Sequence, residues 1–160
     1  MIAERIQTLA SAYAADTILL RHHLHAHPEL SYQEYATSAF VKQQLDNIGI
    51  PYRSMADTGV VGLIEGNLPA SRIVALRADM DALPIHEEND LPYRSKYDGI
   101  MHACGHDVHT SCLLGAAKIL YETRKEWNGT VKLIFQPGEE RNPGGASIMI
   151  REGVLENPAP

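Results

Sequence analysis

No stretch of this chain approaches the roughly 20 consecutive apolar residues that a membrane-spanning helix requires. A basic excess is missing too. Lys and Arg total 14 against 20 Asp and Glu, a net charge of −6, and no basic stripe interrupts the acidic balance. A nucleic-acid partner is therefore not expected. The N-terminus, Met1-Ile-Ala-Glu-Arg5, has an acidic residue early and no long apolar core, so no secretory signal is read there. Cysteine is scarce: Cys104 and Cys112 are the only two, and without a signal they read as the reduced thiols of a cytoplasmic protein. Neither belongs to a Cys-x-x-Cys pair, which excludes the common zinc-finger spacing. The His-x-Glu and Pro-Cys-x-x-Cys pairing of zinc deaminases is also absent. No histidine follows His109. Repeats, low-complexity tracts and internal linkers are lacking. What remains, 160 residues of which 44% are hydrophobic, suits one domain with its own core.

Apolar positions Ile6, Leu9, Ala10, Tyr13, Ile18 and Leu19 recur at helical spacing and predict one or two helices over residues 2 to about 25. Pro28 interrupts that pattern. Ser31 followed by Glu34 has the form of a capping box and predicts a helix to about Ile48, with Gly49 as its stop. Extended segments follow at Pro51 to Ser54 and Gly59 to Glu65. Arg72 to Arg77 holds the apolar run Ile73-Val-Ala-Leu76, which predicts a strand buried on both faces. Asp81 to Ala103 is polar and proline-containing, a loop long enough to suggest function. Asp107 is expected to cap a helix running to about Arg124. Gly129 to Phe135 reads as a strand, and Gly144 to about Glu152 as a short helix ended by Gly153. Strands alternating with helices indicate a three-layer α/β domain.

Metal-ligand chemistry is concentrated in two segments, Met101-His-Ala-Cys-Gly-His-Asp-Val-His109 and Phe135-Gln-Pro-Gly-Glu-Glu140. Thiolate, imidazole and carboxylate are the donors that bind zinc, manganese, cobalt or nickel. Cys104 and His106 lie two apart, where an extended backbone can aim both at one point. Spacing alone leaves them open between metal ligands and a buried thiol beside a helix-start histidine. Glu139 and Glu140 follow an apolar strand, and ligands of open α/β sheets bind beyond the carboxyl ends of strands. A lone Glu-Glu pair otherwise reads as a solvated acidic turn. Asp79 and Asp81 sit at the end of a buried strand, where carboxylates are costly unless paired, and so read as residues that orient ligands. Asp107 and His109 are further candidates for that supporting role. The tract His22-His-Leu-His-Ala-His27 reads as structural, and Cys112 as a small core residue.

Five motifs together resemble one family. They are His27-Pro-Glu-Leu-Ser31, Leu76-Arg-Ala-Asp-Met-Asp-Ala-Leu-Pro84, Met101-His-Ala-Cys-Gly-His-Asp-Val-His-Thr110, Phe135-Gln-Pro-Gly-Glu-Glu140, and Gly144-Gly-Ala with Met149-Ile. In order and spacing the chain resembles the aminoacylase/dipeptidase family of metallopeptidases, and within it the amidohydrolase subgroup. That subgroup holds hippurate hydrolases, N-acyl-amino-acid amidohydrolases, N-acetyldiaminopimelate deacetylases and plant auxin-conjugate hydrolases.

The resemblance implies a three-layer α/β/α zinc-peptidase-like catalytic domain, truncated. Residues 1–160 would be its N-terminal portion, with the inserted dimerisation domain and the C-terminal part of the catalytic domain lying outside this chain. It implies two divalent ions per complete site, with Cys104, His106 and Glu140 as ligands and Glu139 as the general base. Related peptidases carry a ligand His where this chain shows Arg77-Ala-Asp79, a difference that shifts ligation toward Cys104 and His106. The implied substrate is a small N-acyl amino acid, with no nucleic acid and no membrane, and with room for a homo-oligomer in the full-length parent. Alone, the chain is expected to be inactive. The competing readings are a non-catalytic fragment that binds metal weakly or offers an interaction surface, and an exopeptidase acting on dipeptides. The Cys-Gly-His-Asp pattern speaks against the latter.

Overall fold

The computed structural model describes residues Met1–Pro160. Four helices and four strands run in the order α1 (Ile2–Ala26), α2 (Tyr35–Ile48), β1 (Tyr52–Met55), β2 (Gly59–Glu65), β3 (Ile73–Asp79), α3 (His106–Glu122), β4 (Thr130–Gln136) and α4 (Gly145–Arg151). The strands form one sheet in the order β1-β2-β4-β3. β1 and β2 are antiparallel, as are β2 and β4, whereas β3 runs parallel to β4. The carboxyl ends of β3 and β4 therefore emerge side by side, where a ligand site is expected in an open α/β sheet. No helix is long and apolar enough to cross a membrane.

Strand periodicity builds the layers. On β4, Val131, Leu133 and Phe135 face one core with Val60 and Ile64 of β2, Val41 and Leu45 of α2, and Leu113, Leu114 and Ala117 of α3. Ile134 points the other way, to Met55, Val61, Met149 and Val154 under α4. The three expected layers are present: α2 and α3 cover one face with α1 against α3, and α4 covers the other. Lys132 is fully buried on the α4 side. Its ammonium donates to the carbonyls of Val154, Glu156 and Pro158 at 2.6, 3.0 and 2.6 Å, which holds the chain after α4 against the sheet.

Four local expectations are corrected. Cys112, read as a small core residue, is exposed on α3. β3 is not buried on both faces: it forms the edge of the sheet, and Val74 is 40% exposed. The fully buried strand is β4, which lies inside the sheet and is covered by the helical layers on both faces. Asp107 does not cap α3. The helix starts at His106 after Gly105, and Asp107 lies inside its first turn. Ser31 and Glu34 do not form a capping box either. In the first turn of α2 the N–H groups of Ala36 and Thr37 donate to the Glu29 carboxylate at 3.1 and 2.7 Å. Gly49 does end α2, with φ 90° and its N–H on Leu45 O.

Candidate metal centre

Cys104, His106 and Glu140 each place a donor atom within 4.8 Å of the other two. Gly105, at φ 105°, turns the chain between the first two, a conformation that glycine adopts without steric cost. The His106 ring is buried, and its Nδ1 donates to the carbonyl of Asp81 at 2.8 Å. That bond leaves Nε2 facing Glu140 Oε1 at 3.9 Å and Glu139 Oε2 at 4.0 Å. These gaps are too long for hydrogen bonds. They match donors that share one cation, since bonds of about 2.0–2.3 Å put neighbouring donors roughly 3–4 Å apart. Cys104 is exposed at the mouth of the cluster.

Asp81 ties the two ligand segments together. One carboxylate oxygen accepts from Ser31 Oγ at 2.6 Å and from the Glu140 N–H at 3.0 Å, while its carbonyl holds His106. Burial alone would raise the Asp81 pKa. Hydrogen bonds from His106, Ser31 and the N–H groups of Glu140 and Glu139 outweigh burial and hold it at about 2. Burial likewise lowers His106, but its bonds to Asp81 and the charges of Asp79 and Asp81 raise it to about 9. Burial and the carboxylates of Glu140, Glu139 and Asp79 push the Cys104 thiol up. Without a metal, then, the anionic cluster draws protons onto its donors, as a site built for a cation should. Asp79 Oδ1, buried and without a hydrogen-bond partner, strengthens that fit.

The remaining candidates divide. Asp79 and His109 group with His106 as a second set of convergent donors. His109 Nδ1 lies 3.3 Å from Asp79 Oδ2, Arg77 meets the same oxygen at 3.3 Å, and Thr110 donates to the Asp79 carbonyl. Asp107 does not join the cluster. Its carboxylate turns to His25 at 2.8 Å and Arg21 at 3.1 Å. The other His25 nitrogen reaches Glu87 at 3.0 Å, which gives the histidine tract a structural contact. Its buried member ties α1 to α3 and to the loop after β3. His102 is buried as well, and burial lowers its pKa to about 4 despite the Asp107 charge. Sequence reasoning missed the reach of Ser31 and Glu34 into the site. Their capping-box spacing was the visible signal, and it matched the wrong structure.

An open mixed sheet with a Cys–His–Glu cluster at its carboxyl end defines a metallopeptidase-type α/β domain. The chain belongs to peptidase family M20/M25/M40, whose model matches residues 75–160. It is 46% identical to an N-acyl-L-amino acid amidohydrolase of Geobacillus stearothermophilus over 157 residues, 98% of this chain and 42% of the relative. It is 51% identical to the IAA-amino acid hydrolase ILR1-like 5 of Arabidopsis thaliana over 140 residues, 86% of this chain and 31% of that one. Among solved structures, the Bacillus subtilis YXEP protein, a dinuclear metal binding peptidase from the M20 family, superposes with a TM-score of 0.86 at 44% identity. The match covers 91% of this chain and 41% of that one. The chain thus spans less than half the length of these relatives.

Proposed function

We propose that this chain is part of the catalytic domain of a metal-dependent amidohydrolase that cleaves the amide bond of N-acyl amino acids. The observation that carries the proposal is the convergence of Cys104, His106 and Glu140, with Glu139 beside them, at the carboxyl ends of β3 and β4. The names of the relatives support the substrate class. Thiolate, imidazole and carboxylate together suit zinc, cobalt, nickel or manganese. In this proposal Cys104, His106 and Glu140 supply this chain's share of ligands to two ions, and Asp79, Asp81 and His109 steady them. Divalent ions held by these residues would supply an acidified water and polarise the scissile carbonyl. Glu139 borders the cluster with its carboxylate half-exposed, placed to take the proton from that water. As the water oxygen bonds the carbonyl carbon and the C–N bond breaks, Glu139 would return that proton to the leaving nitrogen, giving the acyl carboxylate and a free amino acid. Residues 1–160 form the N-terminal portion of that domain. The complete enzyme is proposed to be cytoplasmic and compatible with homo-oligomer formation.

The test is hydrolysis of acetyl-, benzoyl- and indoleacetyl-amino acids by the complete enzyme, before and after chelation and with each metal restored. Turnover should vanish on chelation and return on reloading. Turnover that survives complete metal removal would sink the proposal.

A further inference from the structure

Glu34 is fully buried at the start of α2, yet it serves neither its own helix nor the metal cluster directly. Glu29 caps the helix in its place. One Glu34 carboxylate oxygen accepts from the Gly138 N–H at 2.8 Å and the Tyr32 N–H at 2.9 Å; the other accepts from Thr58 Oγ1 at 2.7 Å. Three donors from three segments converge on one buried carboxylate and offset part of the cost of burying it, although burial still holds its pKa above the ordinary value. The Gly138 contact is the informative one, because Gly138 immediately precedes Glu139.

The turn after β4 is held at three points by residues outside it. Gly138 N–H is held by Glu34, Glu140 N–H by Asp81, and the Arg141 carbonyl by the Tyr32 hydroxyl at 2.9 Å. Gly138 itself has φ +54°, and a Cβ there would collide with the Tyr32 ring. The backbone is thus pressed against the 31–34 segment, and the strap from Glu34 fixes where residue 139 begins. Asp81 secures the ligand Glu140; Glu34 secures the other side of Glu139.

We propose that Glu34 is the positioning residue for Glu139, acting through the Gly138 N–H to aim the Glu139 carboxylate without touching substrate or metal. The inference rests on the reading of Glu139 as the general base. Reach is what matters. Glu34→Gln keeps a carbonyl oxygen at full length for Gly138, and the Thr58 hydroxyl can turn to accept from the new amide. Glu34→Asp keeps the charge but withdraws it by one methylene. Glu34→Ala removes the acceptor.

The experiment measures kcat, KM and metal content of the three variants in the complete enzyme, with Glu139→Gln alongside, and Gly138 amide hydrogen exchange in this 160-residue chain. Glu34→Gln should stay within about tenfold of wild type in kcat. Glu34→Asp and Glu34→Ala should fall on the order of 100-fold, with KM and metal content nearly unchanged. The Gly138 amide should be protected in wild type and Glu34→Gln and exchange quickly in the other two. If Glu34→Ala does not fold, Glu34→Asp carries the comparison. Wild-type kcat in Glu34→Asp, or loss of metal in step with kcat, overturns the inference alone. A fully active Glu139→Gln enzyme overturns the role of Glu139 and this inference with it, whatever the amide shows.

Discussion

Replacing Asp81 by Asn tests the tie between the two ligand segments. Asp81 is 1% exposed; its carboxylate accepts from Ser31 and Glu140 and pairs with His106 Nδ1 at 3.2 Å, while its backbone carbonyl accepts from the same nitrogen. Folded, it stays ionised down to about 2, against an ordinary value of 3.8. At about 1.4 kcal/mol per pH unit, that gap corresponds to about 2 kcal/mol of stability at neutral pH. The folded pKa is the lower one, so the unfolded chain binds more protons between these values. The contribution is complete above the unfolded pKa and drains away as pH falls from about 4 to 2. Asparagine cannot supply it at any pH, and its amide turns a donor toward groups that are themselves donors. At 160 residues, melting should fall by roughly 5 °C near pH 7. The assay is thermal unfolding of the metal-free chain and Asp81→Asn from pH 7 downward, followed by circular dichroism. The gap between the two should narrow as pH drops below about 4. Cobalt titration should show affinity lowered roughly 10- to 100-fold, since the carboxylate that holds the Glu140 N–H and lies 3.2 Å from His106 Nδ1 is lost, although the Asp81 carbonyl still holds His106. Equal melting temperatures at neutral pH, or a gap that does not narrow in acid, would refute the reasoning.

In the complete enzyme, Glu139→Gln should cut turnover by roughly 100-fold or more while metal content, read by elemental analysis, stays intact. Glu140→Gln should lose metal as well, and equal metal loss from both would show the two roles are divided wrongly. His25→Ala removes the imidazole that bridges buried Asp107 and Glu87. It should cost about 3 kcal/mol, checked by urea unfolding, because two buried carboxylates lose a partner. The 160-residue chain alone, loaded with zinc, manganese, cobalt or nickel, should not hydrolyse acyl-amino acids. Its three clustered donors, Cys104, His106 and Glu140, leave a pair of ions under-coordinated. Metal-dependent turnover that Glu139→Gln abolishes would reverse that expectation and direct attention to Asp79 and His109.

The candidate donors were visible in the sequence as residue types, but spacing alone left Cys104 and His106 open, and only the resemblance implied them with Glu140 as one ligand set. Cys104 and His106 are separated by one glycine, and Glu139-Glu140 follows a strand whose apolar run is plain. The helix and strand positions were legible because periodicity records which side of an element meets a core. What sequence could not decide was the partner of each short polar side chain. Ser31 and Glu34 have the spacing of a capping box, and Asp107 stands where a cap belongs. In the structure Ser31 binds Asp81, Glu34 binds Gly138 and Thr58, and Asp107 binds His25 and Arg21. β3 carries a run suited to a buried strand but stands at the edge, because strand order is not written in any one strand. Local pattern determined the elements, and the family resemblance nominated the donors of the proposed metal cluster. Tertiary structure chose among hydrogen-bond partners, because a buried carboxylate takes whichever donors the sheet brings within 3 Å and not those nearest in the chain.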